Sequence, residues 1–262
     1  MNGFAYDLTG PIGTGGTLGL IVLQVDETLE QDMRRLFPDP ATAIYVNRIP
    51  SGADLNPDTI AAMEQALPQA ARLLPDAAAF DAVAYACTSG TTLIGADRVS
   101  ALVSGACNTK QVCDPLTAAL AALAHLGLQR VSIVSPYIAS VAEPIRAAFE
   151  TAGHAVPASL SFGEEQEARV ARIAPASIAE AARHLAKEAE TDAIFLSCTN
   201  LRTLDIINDL EAELGIPVLS SNQVLGWALM RALPISPRGN GPGTLLRAVD
   251  QVNGDISLSP LG

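Results

Sequence analysis

Short apolar runs separated by longer amphipathic stretches set the rhythm of this chain. Leu18–Val25, Ala43–Ile49 and Asp81–Ala86 read as buried strands. Val131–Ser135, a segment near Ala155–Leu160, Asp192–Ser197 and Ile216–Leu219 continue the series further on. Between them apolar residues recur at helical spacing. Asp26 opens a helix carrying Leu29, Met33, Leu36 and Phe37, and Pro57 starts another through Met63 and Leu67 that Pro68 ends or kinks. Asp114 and Pro115 cap a helix that Gly127 ends, and further helices cover Val141–Ala152 and Ala176–Glu190. A helix through Leu204, Ile207 and Leu210 stops at Gly215, and Ser220-Ser221-Asn222 opens the last one, with the only tryptophan, Trp227. Residues 1–17 form a glycine-rich arm, the stretch after Thr92 is mixed, and a Pro- and Gly-rich loop after Leu233 leads to a short amphipathic tail. Strands alternating with helices predict an α/β protein with parallel sheets covered on both faces.

One segment occurs twice. Asp81-Ala-Val-Ala-Tyr-Ala-Cys87-Thr88-Ser89 and Asp192-Ala-Ile-Phe-Leu-Ser-Cys198-Thr199-Asn200 share Asp-Ala, a β-branched residue, an apolar stretch and Cys-Thr. Each reads as a buried strand delivering a cysteine at its carboxyl end, the edge where parallel α/β sheets bind ligands. A lone cysteine there is more often core. Two at equivalent strand ends point to a pair. The copies lie 111 residues apart (198 − 87), which fits a duplicated unit. The predicted organisation is a first half over residues 1–115, a second over 116–222, and a terminal helix and tail, 223–262, returning toward the first half.

Composition narrows the function. The 262 residues carry a net charge of −12, with Lys110 and Lys187 the only lysines, which argues against nucleic acid and anionic membranes as partners. No apolar run approaches the ~20 residues of a membrane span, and the start lacks the regions of a signal peptide. Four cysteines without framework spacing suggest reduced thiols and a cytoplasmic protein. Cys107 and Cys113 lack zinc-ribbon spacing and read as packing residues, so no metal site is expected. Gly13-Thr-Gly-Gly16 precedes a strand instead of following one and lacks the Gly-Lys-Ser/Thr ending of a phosphate loop. His125, His154 and His184 fall near element ends and read as surface residues.

The chemistry follows from the thiols. Each is expected to precede a helix, whose amino-terminal dipole lowers a thiol pKa and favours anions. Thr88, Ser89, Thr199 and Asn200 supply hydroxyl and amide donors beside them, suited to a carboxylate or an enolate-like intermediate. One thiolate and one thiol across a carbon centre suit inversion without metal or organic cofactor.

Cys87-Thr-Ser-Gly90, Ser135-Pro-Tyr137, Cys198-Thr-Asn200 and Gly215-Ile-Pro-Val-Leu-Ser-Ser-Asn222 resemble the aspartate/glutamate/hydantoin racemase superfamily. The resemblance is to its branch with maleate cis-trans isomerases and arylmalonate decarboxylases, over Leu18 to Leu233. It implies two pseudo-symmetric Rossmann-like halves, each a four-stranded sheet, with the active site in the cleft between them. It further implies Cys87 and Cys198 as the catalytic pair, and Thr88, Ser89, Tyr137 and Thr199 around the oxygens of a small-molecule carboxylate substrate. No cofactor is implied, and a homo-oligomer is expected. Decarboxylases of the branch have glycine at the first cysteine, so Cys87 argues against decarboxylation. Maleate isomerases have asparagine where this chain has Asp26. An ionised Asp26 repels a dicarboxylate and holds an ammonium or amide N–H; it is equally a good N-cap. A similar protein type accompanies ectoine-degrading enzymes, which implies a diaminobutyrate-like or cyclic amidine substrate. The leading expectation is a racemase of an amino-acid-like carboxylate. The alternative is a maleate-type isomerase with a covalent cysteine adduct, and a non-catalytic binding module is a third reading.

Overall fold

A computed structural model describes residues 3–52, 57–234 and 241–252. The first half runs β1 (Gly16–Leu23), α1 (Leu29–Leu36), β2 (Thr42–Ile49), α2 (Pro57–Arg72), β3 (Ala82–Ala86), α3 (Thr88–Ile94), α4 (Ala96–Ser104) and β4 (Val112–Cys113). After α5 (Pro115–Leu126) come β5 (Val131–Ser135), α6 (Ala139–Thr151), β6 (Ser159–Ser161), α7 (Glu167–Val170), α8 (Pro175–Glu188), β7 (Ala193–Leu196), α9 (Ile207–Leu214) and β8 (Val218–Ser220). The chain continues with α10 (Ser221–Ala232) and α11 (Gly243–Val252). All strand pairs are parallel, in two four-stranded sheets of order β2-β1-β3-β4 and β6-β5-β7-β8. Adding four to each strand number converts the first order into the second, so the halves share one topology.

Strand alternation explains how the halves meet. Val83 and Tyr85 of β3, and Cys87 just past its end, belong to a cluster closed by Met63 and Leu67 of α2 and Val99 and Val103 of α4. Ala82, Ala84 and Ala86 face the other way, into the core that runs on through the second half. Their small side chains leave room for α10, which packs on β3 and also against α1 and α5. Gly226 of α10 makes the same allowance, since a Cβ there would come within 2.5 Å of Leu36 Cδ1. The large apolar residues of this core, such as Leu18, Leu20 and Val22 on β1, each contribute about 1.5–3 kcal/mol by leaving water.

Several local expectations are corrected. The helix after Asp26 begins at Leu29, and the Asp26 carboxylate accepts from the Thr28 and Leu29 N–H groups at 2.8 Å each, doing the capping from outside. Helix α2 continues through Pro68 to Arg72. The second strand of the second half is only Ser159–Ser161, with Ala155 forming an isolated bridge to Arg130. The mixed stretch after Thr92 holds the end of α3, all of α4 and the short edge strand β4. His154 is buried, not on the surface. Helix α10 makes the return to the first half, whereas α11 packs against α9 and β8. Residues 235–240 of the Pro- and Gly-rich loop and the tail beyond 252 lie outside the described residues. No helix among the described residues is long and apolar enough to cross a membrane.

Candidate active site

Strands β3 and β7 occupy equivalent places in their sheets and end one or two residues before Cys87 and Cys198. Cys87 is the N-cap of α3, its sulfur accepting from Gly90 N–H at 3.2 Å and lying 3.6 Å from Ser89 Oγ. The turn needs glycine at position 90, because a Cβ there would overlap the Tyr85 hydroxyl and come within 2.9 Å of Cys87 Sγ. Cys198 is set differently. No helix follows it directly, because α9 starts only at Ile207. Its sulfur accepts from Asn200 N–H at 3.4 Å, and its φ of 154° is the one positive value of a non-glycine residue among the described residues. Such backbone is sparsely populated and clusters at functional sites.

Hydroxyls join the two turns. Ser221 Oγ, at the start of α10, accepts from Cys198 N–H at 3.0 Å and lies 2.8 Å from Thr88 Oγ1. Thr199 Oγ1 donates to the Ala86 carbonyl at 3.3 Å, across the same junction. Tyr137, at the end of β5, is fully enclosed, and its hydroxyl hydrogen-bonds Cys198 and lies close to Cys87. Asn200 ties three segments together. Its Oδ1 accepts from Glu27 N–H at 2.9 Å, its Nδ2 donates to Glu167 Oε2 at 3.1 Å, and its carbonyl accepts from Thr28 Oγ1 at 3.0 Å. The eight residues singled out from the sequence thus gather at one place: Asp26, Cys87, Thr88, Ser89, Tyr137, Cys198, Thr199 and Asn200. Thr88, Thr199 and the Asn200 amide are engaged in holding the halves together.

Two residues of the site were missed. Ser221 appeared only as a helix start. Glu167, at the beginning of α7, lies in the charged stretch Gly163–Arg172, which reads as a connector, yet it is 2% exposed. Nothing local distinguishes it from its neighbours, the half-buried Glu164 and the exposed Glu165; only the packing of α7 over the junction buries it.

The electrostatics reverse one expectation. Both thiols are pushed up, not down, because enclosure disfavours the thiolate more than the nearby N–H donors favour it. Burial raises Cys87 to about 11, partly offset by Ser89 and Gly90, with Glu167 and Asp26 adding repulsion. For Cys198 the Glu167 charge is the next cause after burial. Burial also raises Glu167 to about 7, Asp32 to about 6, and Asp26 above its ordinary value. The Thr199 hydroxyl tempers the rise of Asp26, but its proton is committed to the Ala86 carbonyl, and Asp26 Oδ2 is left buried without a hydrogen-bond partner.

Fold and site together define a duplicated α/β protein that brings one cysteine from each half to a buried junction. The sequence matches the family model described as arylmalonate decarboxylase over residues 18–246. Arylmalonate decarboxylase of Bordetella bronchiseptica is 32% identical over 223 residues, covering 82% of this chain and 89% of that protein. Maleate isomerase of Nocardia farcinica (strain IFM 10152) is 27% identical over 241 residues, covering 88% and 95%. A cysteine-to-serine variant of Nocardia farcinica maleate cis-trans isomerase, with a covalently bound succinylcysteine intermediate, superposes with a TM-score of 0.76 at 25% identity, covering 89% of this chain and 98% of that one. The chain belongs to the arylmalonate decarboxylase family.

Proposed function

We propose that the protein is a cofactor-independent isomerase of small carboxylic acids that moves substrate through a reversible covalent bond to cysteine. The observation that carries the reading is the junction itself: two buried thiols at equivalent strand ends, in turns that Ser221 bridges through the Cys198 N–H and the Thr88 hydroxyl, with the Tyr137 hydroxyl on Cys198. The succinylcysteine intermediate of the Nocardia farcinica enzyme supports the covalent route. A second cysteine at position 87, where the resemblance gives decarboxylases glycine, supports isomerisation over decarboxylation.

Roles follow from the surroundings of each sulfur. Negative charge is better held on Cys87, which faces Gly90 N–H and Ser89 Oγ, while Glu167 holds the proton on Cys198. Cys87 is a thiol at rest and first releases its proton to solvent; its thiolate then adds to one carbon of a cis double bond, forming the C–S bond, as Cys198 gives its proton to the adjacent carbon. That C–C bond is now single and rotates. The Cys198 thiolate then takes the proton back, the C–S electrons return to sulfur, and the trans acid leaves. Catalytic groups of this kind are typically worth 10²–10⁴-fold each.

Racemisation is the second reading, favoured by thiols that reach one centre from two different halves. Proton NMR in deuterium oxide separates the two. Conversion of a cis-unsaturated acid to its trans isomer supports the proposal. Deuterium entering the α-position of saturated amino acids, with no alkene converted, would make the racemase the correct assignment.

A further inference from the structure

Three carboxyl groups are buried at or beside this junction, a costly arrangement unless something answers their charge. Asp26, Asp32 and Glu167 are 3%, 5% and 2% exposed, and Asp26 acts electrostatically on both of the others. Asp32 has partners: the Asn222 amide at 2.8 Å and the Arg35 guanidinium at 3.7 Å. The other two lack a paired cation. Glu167 is held by the Asn200 amide, and Asp26 spends only Oδ1, on two backbone N–H groups. Asp26 Oδ2 is an acceptor with no donor, and Asn222 Oδ1, on the Asp32–Thr199 network, is another.

The nearby cations are already committed. Arg48 gives its guanidinium to the Leu23, Gln24 and Asp26 carbonyls and to Glu30. Arg172 pairs with Glu27 at 2.7 Å and Arg169 with Glu164 at 2.7 Å. The Arg48 charge acts on Asp26 without pairing with it, so missing from this inventory are a cation in contact with either carboxylate and further hydrogen-bond donors, and an ammonium group supplies both, with three donors.

We infer that Asp26 and Glu167 form a receptor for a substrate ammonium group, so that the enzyme acts on a small carboxylate whose second substituent is cationic. This rests on the isomerase reading above and specifies its substrate class. A dicarboxylate would place a second anion beside two acidic side chains. A cationic arm answers both and leaves the single carboxylate to the donors around the cysteines. Burial raises the proton affinities of Asp26 and Glu167, and an ammonium group beside them would lower both.

Three alkenes of similar size test the inference: cis-4-aminobut-2-enoate, cis-pent-2-enoate, in which a methyl group replaces the ammonium, and maleate. Isomerisation is followed by proton NMR at pH 8 in the wild type, Asp26→Asn and Glu167→Gln, with thermal melting to verify folding. The expected result is a preference in kcat/KM for the amino compound over both others on the order of 10²-fold, lost in each variant. A wild-type preference for maleate, or a preference that survives in either variant, overturns the receptor and leaves the isomerase standing. If none of the three is isomerised, the isomerase reading fails separately. Protection of Cys87 and Cys198 from alkylation then decides: protection by the amino compound but not by maleate supports the receptor, and equal protection overturns it.

Discussion

Glu167→Gln should make the protein more stable in mild alkali and leave it almost unchanged in acid. Burial raises the Glu167 carboxyl from 4.5 to about 7, so the folded protein binds this proton more tightly than the unfolded chain does. A raised carboxyl favours folding in its protonated form. That advantage is complete below about 4.5, drains away as pH rises toward 7, and above 7 the full cost of a buried charge is present. At about 1.36 kcal/mol per pH unit, the interval corresponds to roughly 3 kcal/mol. Glutamine removes the charge, and its carbonyl can still accept from the Asn200 amide, now 3.1 Å from Glu167 Oε2. For a chain of this size about 3 kcal/mol corresponds to a Tm difference of about 6–12 °C. Differential scanning calorimetry at pH 8 and pH 4.5 measures it directly. An equal gain at both pH values, or none at pH 8, would refute a buried, unpaired carboxylate at this position.

Two further substitutions probe the framework of the site. Gly90→Ala should cost about 1–3 kcal/mol and abolish activity, because the new methyl meets a Tyr85 hydroxyl and a Cys87 sulfur that are both buried and cannot retreat; a melting curve and a turnover assay check both parts. Ser221→Ala should cost about 1–3 kcal/mol by leaving Cys198 N–H and Thr88 Oγ1 without their shared partner, and should lower kcat more than it raises KM.

The duplicated Asp-Ala strands, each ending in Cys-Thr, carried most of what was legible in the sequence. Their apolar content marked buried parallel strands, and their spacing of 111 residues matched the repeat of sheet order. The apolar run did not say which residue meets what: along β3 one face packs on α2 and α4 and the other admits α10. What stayed hidden depends on contacts distant in sequence. Glu167 shares a charged stretch with solvent-facing residues, and only Asn200, 33 positions away, shows where its carboxyl lies. The direction in which the thiols shift was misread for the same reason. A helix start is visible locally, whereas the enclosure that outweighs it is built by both halves together. Asp26 shows why its two readings could not be separated from sequence, since one oxygen caps α1 and the other remains free.

The central claim is that Cys87 and Cys198 divide one covalent isomerisation between them. Intact-mass and peptide-mapping mass spectrometry of Cys198→Ser, incubated with cis-4-aminobut-2-enoate and separately with maleate, tests it most directly. Removing Cys198 takes away the base that must recover the proton before the C–S bond breaks, so an adduct protonated by solvent should be trapped. The account predicts a mass gain of one substrate molecule, located on Cys87, with at least one of the two acids. No adduct with either acid, or a gain mapped to Cys107 or Cys113, would contradict it.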